Sequence, residues 1–247
     1  MRLTDSIHIV ASGDSGFSLT NAFDCTVYLV DCGSSCVLID AGMGVEPELI
    51  LREIQAAGFA PEQVSHILLT HGHGDHAGGA AALSARCNAA VYAMEPAAGF
   101  IREGNTDALS LTQALEAGVF ERSYVFTPCD VQPLTAGHTL RIGDKVFEVV
   151  AAEGHCAGHC CFLVEENAGR VLFSGDAIQC GGKIALQAIW DCDLQKYVDT
   201  VRRLGMLHPD VLLPGHGCVA LNRGWKHIER ANTILDTLAL PKNSIGE

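Results

Sequence analysis

Short apolar runs recur along this chain, and several stop abruptly at a glycine followed by a polar side chain. Val64–Leu69, Val146–Ala152, Arg170–Ser174 and Val211–Leu213 read as strands of this kind. Thr26–Val30 and Cys36–Ile39 read as two more, and Pro47–Ala57 as a helix before Val64–Leu69. Gly78–Arg86 then reads as a helix and Ala89–Ala93 as a returning strand. The second half repeats the theme, with strands at Thr139–Ile142, Lys145–Ala152, Cys160–Val164 and Arg170–Phe173. Gly143-Asp144 is the clearest hairpin signal. Asp193–Leu207 has helical apolar spacing at Leu194, Tyr197, Val198, Val201 and Leu204, and Asn222 is placed to cap a last helix running towards Leu240. Strands alternating with helices predict helices covering sheet faces. No linker or short repeat divides the chain, so residues 1–247 read as one domain of two similar halves. Residues 95–130 read as a mainly helical insertion, with Asp107–Ala117 its most helical part. Its pattern leaves open whether it overhangs a site or is a surface excursion.

Composition narrows the class. At 247 residues one sizeable core is feasible. No uninterrupted apolar run approaches the roughly 18 residues of a membrane span. Met1–Ser6 carries an early acid and no long apolar stretch, unlike a secretory signal. The expectation is a cytoplasmic protein with no membrane partner. A formal net charge of −13 argues against a nucleic-acid partner, because the basic footprint for phosphate is missing. The 11 cysteines show no zinc-ribbon pair, and reduced thiols are expected. Cys25, Cys32, Cys36, Cys160 and Cys161 lie in apolar, strand-like surroundings and read as small core residues. Cys156, Cys180 and Cys218 lie close in sequence to polar turn residues and read as neutral fillers there, with an oxidation-sensitive lining as the alternative.

The chemistry concentrates at the strand ends. Thr70-His71-Gly72-His73-Gly74-Asp75-His76 puts four metal-competent side chains directly after an apolar run. Gly154-His155, Gly175-Asp176 and Gly215-His216 follow three others, each glycine permitting a sharp turn off the strand. Histidine and aspartate are seldom buried without partners. Strand-end loops on one edge can converge, and these would bring together five histidines and two aspartates.

With these motifs in this order, the chain resembles the metallo-β-lactamase fold superfamily of metallohydrolases, in its glyoxalase-II and lactonase-like branch. The upstream Leu38-Ile39-Asp40-Ala41-Gly42 turn also matches, and the likeness spans about residues 20 to 220. It implies an α+β fold, a four-layer αβ/βα sandwich of two packed mixed sheets flanked by helices. It implies two divalent ions, zinc before iron or manganese. His71, His73 and His155 would hold one, Asp75, His76 and His216 the other, and Asp176 would bridge them. It further implies a bridging hydroxide as nucleophile, with Asp75 orienting it and collecting its proton. Asp40 would brace the metal loop and His159 would orient a ligand from behind. Gln179, Lys183 and Trp190 follow the bridging aspartate and are candidate substrate contacts. His8, His66, His138, His208 and His227 match no motif and are read as structural.

Departures from the pattern shape the functional expectation. Asp176 stands where some lactamases hold the second metal with cysteine. His73 stands where flavodiiron proteins have glutamate. Gln179 stands where many N-acyl homoserine lactonases have tyrosine. Cys180-Gly181-Gly182-Lys183 only partly echoes the Gly-Cys-Gly-Arg of glyoxalase II, and the chain lacks the length for that family's helical glutathione-binding domain. The expected activity is hydrolysis of a small-molecule ester, thioester or lactone by a binuclear metallohydrolase. The alternative is a mononuclear-iron oxidoreductase resembling persulfide dioxygenases, and a third reading is a metal-binding protein without catalysis. Relatives commonly dimerise, so a homodimer is compatible with this reading.

Overall fold

The computed structural model describes residues 1–167 and 169–245. Alternation along the strands creates two faces per sheet, and both are apolar. The first sheet runs in the order β1 (Ile7–Ala11), β2 (Val27–Asp31), β3 (Cys36–Ile39), β4 (Val64–Leu68), β5 (Ala90–Met94), β6 (Gln132–Leu134). Pairing is antiparallel from β1 to β3 and parallel from β3 to β6. The second sheet comprises β7 (Thr139–Ile142), β8 (Lys145–Ala151), β9 (Cys160–Glu166), β10 (Gly169–Gly175) and β11 (Val211–Pro214), with only β10–β11 parallel.

Ile9, Tyr28, Val30 and Leu68 of the first sheet pack with Phe147, Phe162, Phe173 and Leu213 of the second as one inter-sheet core. Their strand neighbours point the other way. Val27, Leu29, Leu38 and Ile67 meet Ile50 and Ile54 of α1 (Pro47–Ala56) and Leu83 of α3 (Ala80–Cys87), which follows the short α2 (Gly74–Ala77). Cys161, Leu163, Leu172 and Leu212 meet Tyr197, Val201 and Leu204 of α6 (Leu194–Leu207) and Ile228 and Ala231 of α7 (Trp225–Asp236). The result is the expected four-layer αβ/βα sandwich, with apolar burial in all three interfaces. Cys25, Cys32, Cys36, Cys160 and Cys161 are all buried within it.

Several local expectations are corrected. The glycine pair Gly78-Gly79 separates α2 from α3 where a single helix from Gly78 was expected. Asn222 caps nothing in the last helix. Gly224 stands at its N-cap, where a Cβ would come within 2.7 Å of the Leu212 backbone nitrogen, and the helix stops at Asp236. Residues 95–130 contain two short helices, α4 (Ala97–Glu103) and α5 (Leu111–Glu116), joined and followed by turns. The two-residue turn Gly143-Asp144 does close the β7–β8 hairpin, pairing Ile142 with Lys145.

Candidate metal centre

Four chain segments meet at one edge of the sandwich. β4 runs into Thr70-His71 and then α2, which carries Asp75 and His76. The turn from β8 to β9 presents His155, β10 ends at Gly175-Asp176, and β11 ends at Pro214-Gly215-His216. The loops are tied to one another through their backbones. Gly215 N–H donates to Gly175 O at 2.9 Å, Cys160 N–H to Thr70 O at 2.8 Å, and Ala41 N–H to His76 O at 2.8 Å. Gly215 must be glycine, because a Cβ there would sit 2.5 Å from His76 Cε1 and 2.8 Å from Asp176 Oδ1.

The seven sequence-predicted ligand residues are brought together as two groups sharing one carboxylate. In the first, His76 Nε2 lies 3.1 Å from His216 Nε2 and 3.6 Å from Asp75 Oδ2. His216 Nε2 lies 3.1 Å from Asp75 Oδ2. Asp176 Oδ1 is 3.5 Å from His76 Nε2 and 3.6 Å from His216 Nε2. Four atoms held about 2.0–2.1 Å from one tetrahedral zinc lie roughly 3.3 Å from one another, so this spacing fits a cation. In the second group, His155 Nε2 is 3.0 Å from His73 Nδ1 and 3.5 Å from Asp176 Oδ2. The His71 ring stands against both, with centroids 4.7 Å from His73 and 5.1 Å from His155. Asp176 therefore turns one oxygen to each group. His71 Nε2 and Asp176 Oδ1 are buried with no hydrogen-bond partner, as are His73 Nε2 and His159 Nδ1. Orphaned buried polar atoms are costly, and a cation in each group would satisfy the first two.

The outward nitrogens of the histidines are held in turn. His76 Nδ1 donates to Asp40 Oδ2 at 2.9 Å, which fixes the ring with Nε2 facing inward. Asp40 also accepts from Thr70 N–H at 2.7 Å and from the Thr70 hydroxyl, whose oxygen lies 3.0 Å from His71 Nδ1. His155 Nδ1 donates to Ala185 O at 2.7 Å. His216 Nδ1 lies 2.7 Å from Ser15 Oγ. His159 Nε2 accepts from Asp176 N–H at 3.0 Å, and its ring stacks on His71.

Burial and charge divide the two groups. Burial drives His71 and His159 well below the ordinary histidine value, and burial with the neighbouring His155 lowers His73 to about 3. Lowering of this kind favours the neutral imidazole, the form that binds a metal ion. For His76, burial opposes charging, but Cys25 and the carboxylates of Asp75, Asp40 and Asp176 together hold it well above the usual value. His216 is raised in the same way by Asp176 and Asp75 against its burial. Asp75 is lowered to about 2 and Asp176 is held well below the ordinary carboxylate value, because adjacent imidazoles outweigh desolvation. The Asp75–Asp176 end is thus a place where positive charge is stabilised. The nearby Cys156 sulfur reaches the His71, His73 and His155 group. Burial first, then the acids around it, raises the Cys156 thiol well above its usual value.

A cavity of about 620 Å³ opens over these residues, lined by His73, Asp75, Asp176 and His216. Gln179 and Lys183 line it as well. Trp190 does not join that lining. It is 57% exposed and packs edge-on against Phe100. The insertion does overhang the cavity, through Leu109–Leu111 and Val119-Phe120. Of Cys156, Cys180 and Cys218, the first is buried, the second half-buried and the third exposed.

Three contributors escaped the sequence reading. Tyr197 donates its hydroxyl to the Asp176 carbonyl and accepts from Ala185 N–H at 2.9 Å, so one hydroxyl ties the Asp176 backbone to the residue whose carbonyl holds His155. Thr70 and Ser15 reach His71 and His216. For Thr70 the only signal was its place beside His71, and Tyr197 was visible solely as an apolar helix position.

The metallo-beta-lactamase superfamily sequence model matches residues 20–216, which contain every residue of the two groups. The chain is 28% identical over 197 residues to an atrochrysone carboxyl ACP thioesterase of Emericella nidulans, covering 79% of this chain and 52% of that protein. It is 31% identical over 196 residues to the thioesterase pkgB of the same organism, covering 79% and 46%. The chain spans about half the length of these curated relatives. The subclass B3 metallo-beta-lactamase BJP-1 of Bradyrhizobium japonicum superposes with a TM-score of 0.72 at 20% identity, over 96% of this chain and 91% of that one. The metallo-beta-lactamase family protein TTHA1429 of Thermus thermophilus gives 0.70 at 24% identity, over 98% and 86%. The layered sandwich, the converging loops and the matched sequence agree: this chain belongs to the metallo-beta-lactamase superfamily.

Proposed function

We propose that this protein is a binuclear metal-dependent hydrolase that cleaves an acyl bond in a small molecule, a thioester before an ester or lactone. The observation that carries the reading is Asp176, whose two oxygens face two separate ligand groups at coordination spacing. His71, His73 and His155 would hold one divalent ion, Asp75, His76 and His216 the other, with Asp176 between them. Imidazole and carboxylate donors suit zinc, and also iron or manganese. When bound, such ions supply Lewis acidity and bring the pKa of a bound water to about 7. Asp75 stays ionised at the cavity wall, where it can orient an attacking water and accept its proton. Asp40, Thr70 and Ser15 fix the imidazoles, and the cavity walls shield the reacting bond from bulk solvent. The thioester preference is supported by the names of the two fungal relatives.

The test is metal analysis of untreated protein beside a panel of thioesters, esters and lactones. Two zinc equivalents and thioester turnover are expected, both lost in Asp176→Ala. Iron with oxygen uptake and no hydrolysis would overturn the reading in favour of an oxidoreductase. Retained turnover with intact metal content in Asp176→Ala would reject the bridging role.

A further inference from the structure

The cavity over the metal centre is far larger than the reacting bond needs. Its 620 Å³ has room for roughly twenty non-hydrogen atoms at about 30 Å³ each. Leu111, Ala114 and Phe120 supply apolar lining from the insertion, and Leu186 and Ile189 supply more from the segment after Asp176. Among the described residues Lys183 is the one Lys or Arg in that lining, which also includes the carboxylates of Asp75 and Asp176. Such a space suits an uncharged apolar group. Away from the centre, a phosphate-bearing or polyanionic group would meet walls that are largely apolar and supply one basic side chain.

Phe120 has a second role in this geometry. It also lines a separate cavity of about 300 Å³, together with Phe23, Met43, Val45 and Tyr124. Its ring meets Phe23 edge-on, with centroids 5.7 Å apart. One aromatic side chain is therefore a wall of both spaces. Removing it would join them, and enlarging it would shorten the first.

We propose that the large cavity receives an extended apolar acyl chain and that Phe120 sets the chain length accepted. The proposal rests on the acyl-hydrolase reading above. It assigns the acyl half of the substrate to the cavity and leaves any charged carrier half outside.

The test uses the zinc-loaded full chain and two sets of probes. Non-hydrolysable thioether analogues of N-acetylcysteamine, bearing ethyl, octyl or hexadecyl chains, report binding without turnover by calorimetry. The matching acyl thioesters report hydrolysis. Affinity should rise about threefold to fourfold per buried methylene and then level off once the cavity is filled. Phe120→Ala should move that plateau to longer chains, raising the hexadecyl-to-octyl affinity ratio at least tenfold. Phe120→Trp should move it to shorter chains. Where circular dichroism shows that the alanine variant has not folded, the tryptophan profile decides alone. Affinity independent of chain length, or one profile shared by the parent and the folded variants, would overturn the proposal. Analogue binding that follows the predicted pattern while no thioester is hydrolysed would leave the pocket assignment standing and remove the thioesterase reading.

Discussion

Asp40 adopts a left-handed backbone conformation, φ 63°, that is uncommon outside glycine and tolerated best by aspartate and asparagine. From there one buried carboxylate orients two imidazoles of the candidate centre, His76 directly and His71 through Thr70. Asp40→Asn keeps the backbone preference and the size but removes the charge facing His76. Zinc affinity should fall roughly 10–100-fold with the fold retained, as partners behind metal ligands usually behave. Competition with a chromophoric chelator reads this directly, and unchanged affinity would count against the bracing role. Tyr197→Phe removes the hydroxyl that joins the Asp176 and Ala185 backbones, and Ala185 in turn orients His155. Leaving those buried groups unpaired should cost about 1–3 kcal/mol of stability, seen in denaturant unfolding, and should lower turnover through the displaced ligands. The convergence of these residues on one edge was legible in the sequence because polar side chains after a strand and a glycine have few packing explanations. Tyr197 was not, since helical spacing describes where its ring lies and says nothing of where its hydroxyl points.

At the scale of elements, the period of the apolar residues decided what could be read. The helix over Asp193–Leu207 was legible from its spacing, and Asp193 indeed caps α6 by accepting from Lys196 N–H at 3.0 Å. Asp193→Ala should cost about 1 kcal/mol, a fall in melting temperature of roughly 2–4 °C for a chain of this size. Zinc stoichiometry should not change, so a loss of metal would show that α6 does more than cover the sheet. The first strand escaped the reading because Ile7–Ala11 is buried at all five positions and so lacks alternation. The last strand of that sheet, Gln132–Leu134, is too short to carry a period. The break between α2 and α3 is tertiary in origin. A Cβ at Gly79 would lie 2.0 Å from Ala41 O, and one at Gly78 2.3 Å from Met43 O. The chain passes the neighbouring turn at contact distance, a constraint that composition alone does not display. The same reasoning places Trp190. It follows Asp176 in sequence, but the turn that carries it folds towards Phe100, so proximity along the chain did not become proximity to the cavity.

Across the whole molecule, the candidate metal centre draws its residues from both sheets. His71, His73, Asp75 and His76 follow β4 of the first sheet, whereas His155, Asp176 and His216 come from the second. The inter-sheet core that links these layers is apolar and non-directional, and it alone does not fix how the two edges meet. Ions bound across Asp176 would add directional links between the sheets and offset the proximity of the Asp75 and Asp176 carboxylates. Binding to the folded chain alone then stabilises it by mass action, by about 4 kcal/mol when free zinc is a thousandfold above its dissociation constant. For a chain of this length that corresponds to roughly 8–16 °C in melting temperature. Calorimetry of zinc-loaded protein with and without excess chelator should show a downward shift of that order. Asp176→Ala, which removes the shared ligand, should show a much smaller chelator effect. Equal melting temperatures with and without chelator in the parent protein would mean that the ligand groups contribute nothing to holding the two sheets in register, whatever they contribute to chemistry.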